Sequence, residues 1–342
     1  MQRFIGIDAH KDTLAAAAID QQGRQVDART FTNTPEGYVE LIDWVGQYAA
    51  SRIGIEGSGS LGRQAALPLQ AADFVVVDVP PQLTAQGRRH ERNHSKTDPI
   101  DALIIARVVL RDQDLPSVRT TGVSEDLRVL VHYRRDLISE RTRIASRLHS
   151  DLEQLRPGYQ SAVGRLTTPK QLDRAHELLA ELASVRARIA RQRVERLRAL
   201  CVEIDQLTTE LRSLVPAVTG ALTAIVGIAA LTAAEILAEV GDVRRFRTKA
   251  QFAMANGTAP LPASSGRTNR HRLNRGGNRQ LNRILHFIAL TQVSCSPEGR
   301  AYYDRKRAEG RSKQDALRCL KRRISDRIFQ TLRRSCPDQS LT

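Results

Sequence analysis

The first 112 residues alternate short apolar runs with segments of helical periodicity, and this pattern limits the fold more than any other feature of the sequence. Strands are predicted where apolar residues form short runs, and helices where they recur every three or four residues. The predicted strands cover 4–8, 13–20, 26–32, 52–57 and 74–79, and the predicted helices cover 37–49 and 98–112. Strands that open as successive hairpins and then cross over to helices indicate an α/β fold with a mixed sheet.

The middle of the chain predicts long helices. One runs from Ser124 to about Leu155, where a Pro-Gly pair ends it. Residues 170–215 contain no glycine or proline, and aliphatic residues recur there at spacings of three and four. These are Leu178, Leu182, Val185, Ile189, Leu200, Ile204, Leu207, Leu211 and Leu214. The spacing is typical of a coiled coil. Pairing with a second chain is the preferred interpretation, and a helix pair within one chain is the alternative.

The chain has a large positive charge, with 53 Lys and Arg against 37 Asp and Glu in 342 residues, a net charge of +16. This excess favours a polyanionic partner such as nucleic acid or a membrane surface. No membrane-spanning helix is predicted, because polar and acidic residues interrupt the most apolar stretch, 220–241. The start has no signal-peptide pattern, and the four cysteines form no C-x-x-C pair. A cytoplasmic, nucleoid-associated protein without a zinc ribbon is expected.

The positive charge is concentrated in one segment. Between residues 243 and 297 there are ten Lys or Arg and no Asp or Glu. The densest part, SSGRTNRHRLNRGGNRQLNR (264–283), contains Arg267, Arg270, Arg272, Arg275, Arg279 and Arg283. A solvated face normally carries both signs of charge, so this segment predicts phosphate contact. Aromatic residues make up only 4% of the chain, which favours recognition through phosphates and shape over base stacking.

The segment 224–242 resembles a helix-hairpin-helix element, in which two short helices joined at Gly227 present backbone amides to a DNA phosphate. A second glycine would be expected near Ala230, where the chain has none. An ordinary buried helix pair is the alternative interpretation.

Four acidic residues stand where α/β folds bind ligands. Asp8 ends the first predicted strand and Glu56 ends a later one, so both are expected at an edge of the sheet. Asp98 and Asp101 lie three apart in SKTDPIDA (95–102), at the start of a predicted helix. In one interpretation Asp98 is the N-cap and Asp101 compensates the helix dipole. In the other, all four carboxylates converge to bind two Mg²⁺ ions, since hard cations prefer oxygen ligands and a metal pair supports phosphodiester displacement.

The opening FIGIDAHKDT also resembles the first phosphate loop of actin-like sugar kinases and chaperone ATPases. That loop needs small residues where this chain has His10 and Lys11, and no second Asp-Gly phosphate loop follows. The pattern therefore disfavours a kinase or ATPase.

The motifs GIDAHKDT, GIEGSG and KTDPIDA, followed by the helical seam and a G-x-x-P…SSG…GN-x-x-L block, together resemble the DEDD transposases of bacterial insertion sequences. These are bridge-RNA-guided recombinases related to the pilin-gene invertase. The resemblance covers nearly the whole chain. It implies an α/β RuvC-like (RNase H-like) catalytic domain over 1–158, coiled-coil linker and oligomerisation helices over 159–215, and a mainly helical C-terminal transposase domain over 216–342.

The resemblance also implies roles for single residues. The four acids named above would bind Mg²⁺, and Ser264, or else Ser265, would be the nucleophile. A basic loop predicted over 85–96 would hold nucleic acid near the acids through Arg92, His94 and Lys96. Arg267 and the arginines after it would offset the charge that develops during the reaction.

The function expected from these features is RNA-guided DNA recombination, in which a serine forms a covalent phosphoserine while a mobile element moves between donor and target DNA. A structured non-coding guide RNA and a dimer or tetramer are the implied partners. One alternative is a RuvC-like nuclease or junction resolvase that uses metal-activated water. It would form no covalent adduct that Ser264→Ala abolishes. The other is a non-catalytic DNA- or RNA-binding protein that dimerises by its coiled coil. It would need no Mg²⁺ and would tolerate Asp8→Asn and Asp101→Asn.

Overall fold

The computed structural model describes residues 2–335 apart from 49, 91–97, 119–122, 216–220, 263–270, 273 and 275. The chain divides into two compact units. The first combines Met1–Thr121 with Val240–Thr342, and the second is Gly122–Glu239. The domain boundaries predicted after residues 158 and 215 both fall within the second unit.

The first unit contains the predicted mixed sheet. Its strands are β1 (Arg3–Ala9), β2 (Thr13–Ile19), β3 (Gln25–Thr32), β4 (Ala50–Glu56) and β5 (Val76–Val79). They lie in the order β3-β2-β1-β4-β5. The β1–β2 and β2–β3 pairs are antiparallel, whereas β1–β4 and β4–β5 are parallel. The central strands are buried apolar runs, as expected where helices cover a sheet. A mixed sheet with many helices fits the RNase H-like α/β domain that the resemblance implies.

Residues 1–121 of the first unit also contain four helices, of which the first two alternate with the last strands: α1 (Pro35–Gly46), α2 (Arg63–Ala71), α3 (Pro81–His90) and α4 (Asp98–Arg111). The predictions of α1 and α4 are confirmed, but α2 and α3 were not predicted. The loop prediction for 85–96 is wrong for residues 85–90, because α3 continues to His90. The rest of that segment lies outside the described residues.

The second segment of the first unit is mainly helical. After a short 3₁₀ helix (Val243–Arg245) it contains α10 (Lys249–Ala255), α11 (Arg279–Cys295), α12 (Pro297–Ala308) and α13 (Lys313–Ser335). A two-stranded ribbon pairs β6 (Leu261–Pro262) with β7 (His271–Arg272). Polar contacts join this segment to the first one: Arg245 Nη2 lies 3.5 Å from Asp78 Oδ2, and Gln251 Nε2 donates to Asp114 Oδ1 over 3.0 Å.

The second unit is built from α5 (Val123–Leu155), α6 (Gln160–Val163), α7 (Pro169–Ala180), α8 (Val185–Leu214) and α9 (Ala230–Val240). Side-chain contacts pair α5 with α8. Along α5 they involve Tyr133, Glu140 and Asp151, and their partners on α8 are Glu203, Arg196 and Arg193. The partner numbers fall as the α5 numbers rise, so the two helices are antiparallel. The long helical seam thus has a partner within its own chain.

The buried face of α8 differs from the predicted seam. Its buried residues are Ala187, Ala190, Val194, Leu197, Leu200, Cys201, Ile204, Thr208 and Leu211. Leu200, Ile204 and Leu211 were predicted correctly, but Val185 is 69% exposed. The predicted seam is also divided between two helices, since α7 ends at Ala180 and α8 begins at Val185. Small and polar side chains fill much of this face because they let the two helices pack closely, and such residues escape a search for aliphatic ones.

The segment 224–242 has the expected turn. Gly227 has a φ of +91°, a conformation that glycine adopts readily, and α9 follows three residues later. Among the described helices, none combines the length and the apolar character needed to cross a membrane.

Candidate active site

Two neighbouring parallel strands bring the first pair of acids together. Asp8 lies near the end of β1, and Glu56 is the last residue of β4. Ile7 is the register partner of Ile55, so the residues that follow, Asp8 and Glu56, lie side by side. The carboxyl ends of parallel strands are where open α/β sheets bind ligands.

Helix α4 brings the second pair of acids to the same edge. Asp98 is its first residue and Asp101 lies in its first turn. A Cβ at Gly6 of β1 would lie 2.2 Å from the Ala102 oxygen and 2.3 Å from the Ala106 nitrogen. Only glycine permits this close approach of backbone to backbone. The absence of a side chain at position 6 therefore lets α4 carry Asp101 against the strand that carries Asp8.

His10 bridges one acid from each pair. Its Nε2 lies 3.1 Å from Asp8 Oδ2 and 3.0 Å from Asp98 Oδ1. One ligand atom from each of these three residues lies within 4.8 Å of the other two. Carboxylate and imidazole groups at such separations are ligands that a divalent cation accepts.

Arg88, on α3, binds the fourth acid. Its Nε donates to Asp101 Oδ1 over 2.5 Å and its Nη2 donates to Asp101 Oδ2 over 2.8 Å. The hydrogen bond to Asp101 raises the pKa of Arg88, and the charges of Asp101, Glu56 and Asp8 raise it further. The guanidinium therefore lies within the electrostatic field of three of the four acids. In this structure the carboxylates of Asp98 and Asp101 have partners beyond α4, which the helix-capping interpretation did not anticipate.

The two strand-end acids are destabilised as anions. Burial raises the pKa of Asp8, the His10 charge and hydrogen bond oppose that rise, and the charges of Asp101 and Asp98 add to it. Burial likewise raises the pKa of Glu56; the charges of Asp8 and Asp101 add to this rise, and the charge of Arg88 opposes it. The charges of Asp98 and Asp101 thus act on Asp8, and the charges of Asp8 and Asp101 act on Glu56.

The Glu56 carboxylate has the features of a cation ligand. Its Oε2 is buried and has no hydrogen-bond partner in the structure. A buried carboxylate oxygen without a partner costs free energy, and a bound metal ion would remove that cost. Together with the mutual repulsion of the acids, this unpaired oxygen fits a site for a hard divalent cation.

The remaining predicted site residues divide into two groups. The first group lies outside the described residues and consists of Ser264, Ser265, Arg267, Arg270, Arg275, Arg92, His94 and Lys96. Arg272 lies in β7, and Arg279 and Arg283 lie one turn apart on the exposed face of α11. The structure therefore brings the four acids together but does not relate Ser264 to them.

His10 and Arg88 were not predicted as members of the site. A signal existed for His10, because residues two apart in a strand point to the same face, and His10 follows Asp8 by two. For Arg88 the sequence holds no comparable signal. It is 13 residues from Asp101, and only the packing of α3 on α4 brings the two together.

Two family models match the chain. A transposase model of the DEDD IS110 type matches residues 5–157, and a model described as transposase IS116/IS110/IS902 family matches residues 220–304. The first match covers the segments that supply all four acids. The second covers the whole basic segment, 243–297, and the predicted serine.

Relatives match nearly over their full length. The chain is 28% identical to the 43.6 kDa protein of insertion element IS110 from Streptomyces coelicolor, covering 96% of this chain and 94% of that protein. It is 27% identical to the 44.8 kDa protein of IS116 from Streptomyces clavuligerus, with the same coverage. Among solved structures, T. thermophilus RuvC in complex with a Holliday junction substrate matches with 12% identity and a TM-score of 0.26, covering 31% of this chain and 90% of RuvC.

Proposed function

Because this chain belongs to the DEDD transposase family of IS110-type insertion sequences, we propose that it is an RNA-guided DNA recombinase that excises and inserts its own element. The observation that carries the proposal is the meeting of Asp8, Glu56, Asp98 and Asp101 at one edge of the sheet. Acids that repel one another in a partly buried site are retained where a cation is used.

Asp8, Glu56, Asp98 and Asp101 would hold the divalent cations, proposed to be two Mg²⁺. When bound, the ions would polarise the scissile phosphate and stabilise the charge that develops on its oxygens. Neighbouring side chains orient these carboxylates. Glu56 Oε2 is available as a ligand, while Asp98 and Asp101 are held in place by His10 and Arg88.

Ser264 is the proposed nucleophile. Its hydroxyl oxygen would form a bond to the phosphorus as the bond from phosphorus to one sugar oxygen breaks. The serine gives up its proton and the leaving sugar oxygen takes one up, so charge and atoms balance. The resulting phosphoserine conserves the bond energy, and attack by a sugar hydroxyl of another strand would release Ser264 and join the strands.

Nucleic-acid binding is proposed for the basic segment. It has ten basic and no acidic residues between 243 and 297, and two of them, Arg279 and Arg283, are exposed on α11. A segment of one charge sign releases counterions when it binds phosphates, which makes its affinity strongly salt-dependent. Donor DNA, target DNA and the guide RNA are its proposed ligands. The proposed domain assignment remains catalytic over 1–158, helical over 159–215 and transposase over 216–342.

The oligomer is proposed to form through the helices of the second unit. Three large side chains there are exposed: Val129 (58%), Tyr133 (47%) and Val202 (58%). Tyr133 also contacts Glu203, the neighbour of Val202. Large apolar side chains grouped on one exposed face favour contact with another molecule, here proposed to be a second copy. Val129→Lys should shift the mass measured by light scattering toward the monomer, whereas an unchanged mass would exclude this face.

Recombination of purified DNA sites tests the function. Paired donor and target DNA would be incubated with the protein and Mg²⁺, with and without RNA transcribed from the ends of the element. Joined products are expected only when RNA and Mg²⁺ are both present, and Asp8→Asn should abolish them. Ser264→Ala should abolish a covalent protein–DNA adduct visible after denaturation. Strand cleavage that persists in Ser264→Ala would instead support the nuclease that uses water.

A further inference from the structure

Arg88 occupies both oxygens of an acid that the proposed function needs for metal binding. The two hydrogen bonds, 2.5 and 2.8 Å long, form the parallel fork typical of an arginine–carboxylate pair. A cation that coordinates Asp101 would therefore compete with the Arg88 guanidinium for these two oxygens. The His10 ring lies within hydrogen-bond distance of Asp8 and Asp98, so in this structure nitrogen-bearing side chains contact three of the four acids.

The two partners of this pair differ in their freedom to move. The side chain of Asp101 is 3% exposed, whereas that of Arg88 is 34% exposed. When a cation binds, the acid has no room to turn toward solvent, but the guanidinium does. Arginine also has a long flexible stem, so displacement requires only side-chain rotation.

The backbone next to Arg88 packs closely on α4. A Cβ at the preceding residue, Gly87, would lie 2.4 Å from Ile104 Cγ2 of α4. Because α3 and α4 touch at this point, the Cα of Arg88 stays beside the acids while its guanidinium moves. A displaced guanidinium would remain within reach of whatever lies over the site.

A guanidinium released from a carboxylate has an obvious new partner in a nuclease site. Phosphate oxygens accept the same two-pronged hydrogen bonding as a carboxylate. A positive group next to the scissile phosphate stabilises the charge that develops in the transition state. The exchange of one partner for the other would link metal binding to substrate engagement.

We propose that Arg88 is a further catalytic residue, which caps Asp101 in the metal-free protein and moves to the scissile phosphate when a divalent cation takes its place. The proposal rests on the proposed function, because it assumes that Asp101 binds the metal. It adds to that function a residue, Arg88, that pairs first with Asp101 and then with the scissile phosphate.

Metal binding without DNA tests the first half. Mn²⁺, a paramagnetic substitute for Mg²⁺, would be titrated into the full chain and its free concentration followed by electron paramagnetic resonance. Arg88→Met should lower the Kd for Mn²⁺ about tenfold, because no guanidinium competes for Asp101. Arg29→Met is the matched control: Arg29 also pairs with a carboxylate, Glu40, but on the surface, and its loss should leave the Kd unchanged.

Arg88→Lys covers the case in which Arg88→Met does not fold. Lysine keeps the charge but cannot form the fork, so the Kd should fall by roughly threefold, less than in Arg88→Met. Thermal unfolding of both variants establishes that they are folded. A Kd equal to or higher than that of the wild type in the folded variants would overturn the proposal for Arg88 alone. A wild-type protein that binds no Mn²⁺ would overturn the proposed function as well.

Single-turnover DNA cleavage tests the second half. With Mg²⁺ at saturation, Arg88→Met and Arg88→Lys should lower the rate of cleavage about 100-fold and leave the KM for DNA nearly unchanged, because the contact forms in the transition state. If Arg88 had only a structural role, its replacement would lower stability but would not lower the cleavage rate while leaving the KM unchanged. Tighter Mn²⁺ binding with an unchanged rate would show that Arg88 caps Asp101 without acting on the phosphate, which would overturn its catalytic role.

Discussion

The acids of the site differ in how much the fold depends on them. Asp101 is almost completely buried and forms a forked pair with Arg88, whereas the side chain of Asp98 is 50% exposed and contacts His10. Both are needed for the proposed chemistry. Their contributions to stability, however, should be unequal, because removing one partner of a buried pair costs more than removing an exposed charge.

Asn substitutions separate the two contributions. Asp101→Asn should lower the free energy of unfolding by about 2 kcal/mol, less than for a fully buried pair because Arg88 is partly exposed. Asp98→Asn should change it by less than about 0.5 kcal/mol. Urea unfolding without divalent ions measures both, and DNA cleavage should be lost in each. Equal losses of stability would contradict the difference in burial.

The strand-end acid Glu56 should make stability depend on pH. Its pKa is raised in the folded protein above its value of 4.5 in the unfolded chain. Between these values the folded protein binds more protons than the unfolded one, so this contribution to stability decreases as pH rises above 4.5. Glu56→Gln removes the contribution. Without metal, the Tm of the variant should exceed that of the wild type by about 2–4 °C at neutral pH.

Two controls accompany the Glu56→Gln measurement by differential scanning fluorimetry. The difference in Tm should shrink as pH falls through 4.5, because below this pH Glu56 becomes protonated in the unfolded chain as well. Added Mg²⁺ should raise the Tm of the wild type more than that of the variant. A difference in Tm that does not vary with pH would mean that the glutamine acts through packing and not through charge.

At the scale of secondary-structure elements, the sequence predicted the apolar strands well and the polar helices poorly. All five strands of the sheet were expected; β1, β2, β4 and β5 contain buried apolar runs, whereas β3 is mostly exposed. Helix α2 contains Pro68, which normally argues against a helix interior, and α3 is strongly polar. The face of α8 was misassigned because alanine, cysteine and threonine occupy buried positions. Periodicity identifies a helix but does not identify its neighbour.

The packing of α8 can be tested by truncating side chains. Leu197 is fully buried, whereas Val202 is 58% exposed. Leu197→Ala should cost about 2–5 kcal/mol because it removes buried methyl groups and leaves a cavity. Val202→Ala should cost less than about 0.5 kcal/mol. Chemical unfolding followed by circular dichroism measures both. Similar costs would indicate that α8 packs in a different rotation.

The contact of β1 with α4 can be tested at Gly6. Gly6→Ala should destabilise the first unit by about 3 kcal/mol or more, because the added methyl group overlaps the α4 backbone. Gly46→Ala is the control: a Cβ there would meet nothing within 4 Å, and alanine favours a helix. It should be neutral or stabilising by up to about 1 kcal/mol. A folded Gly6→Ala variant should also bind Mn²⁺ more weakly, since α4 is displaced from Asp8.

At the scale of the whole molecule, two distant segments of the chain build the first unit. Arg245 contacts Asp78, and Asp78 accepts a hydrogen bond of 2.5 Å from Ser58, two residues beyond Glu56. The convergence of the acids could be predicted from local motifs. The support from Arg245 could not, because it depends on contacts between residues more than 150 positions apart.

This support predicts an effect of Arg245 on the loop after Glu56. Arg245→Met should lower stability by about 2 kcal/mol, because Asp78 loses a charged partner in a partly buried position. Amide hydrogen exchange should accelerate in residues 57–62. Arg244→Met is the matched control, since Arg244 is half exposed and pairs locally with Asp242. Equal exchange in the two variants would exclude a role for Arg245 in holding the loop.

The unit formed by Gly122–Glu239 interrupts the first unit in sequence, and this order has a consequence for synthesis. A ribosome finishes the sheet and its acids before it starts the segment that supplies Arg245. At roughly 5–20 residues per second, the delay is on the order of ten seconds. During that interval the nascent chain holds the acids without one of their supports. A chain released before residue 245 would therefore contain the four acids without the Arg245–Asp78 contact.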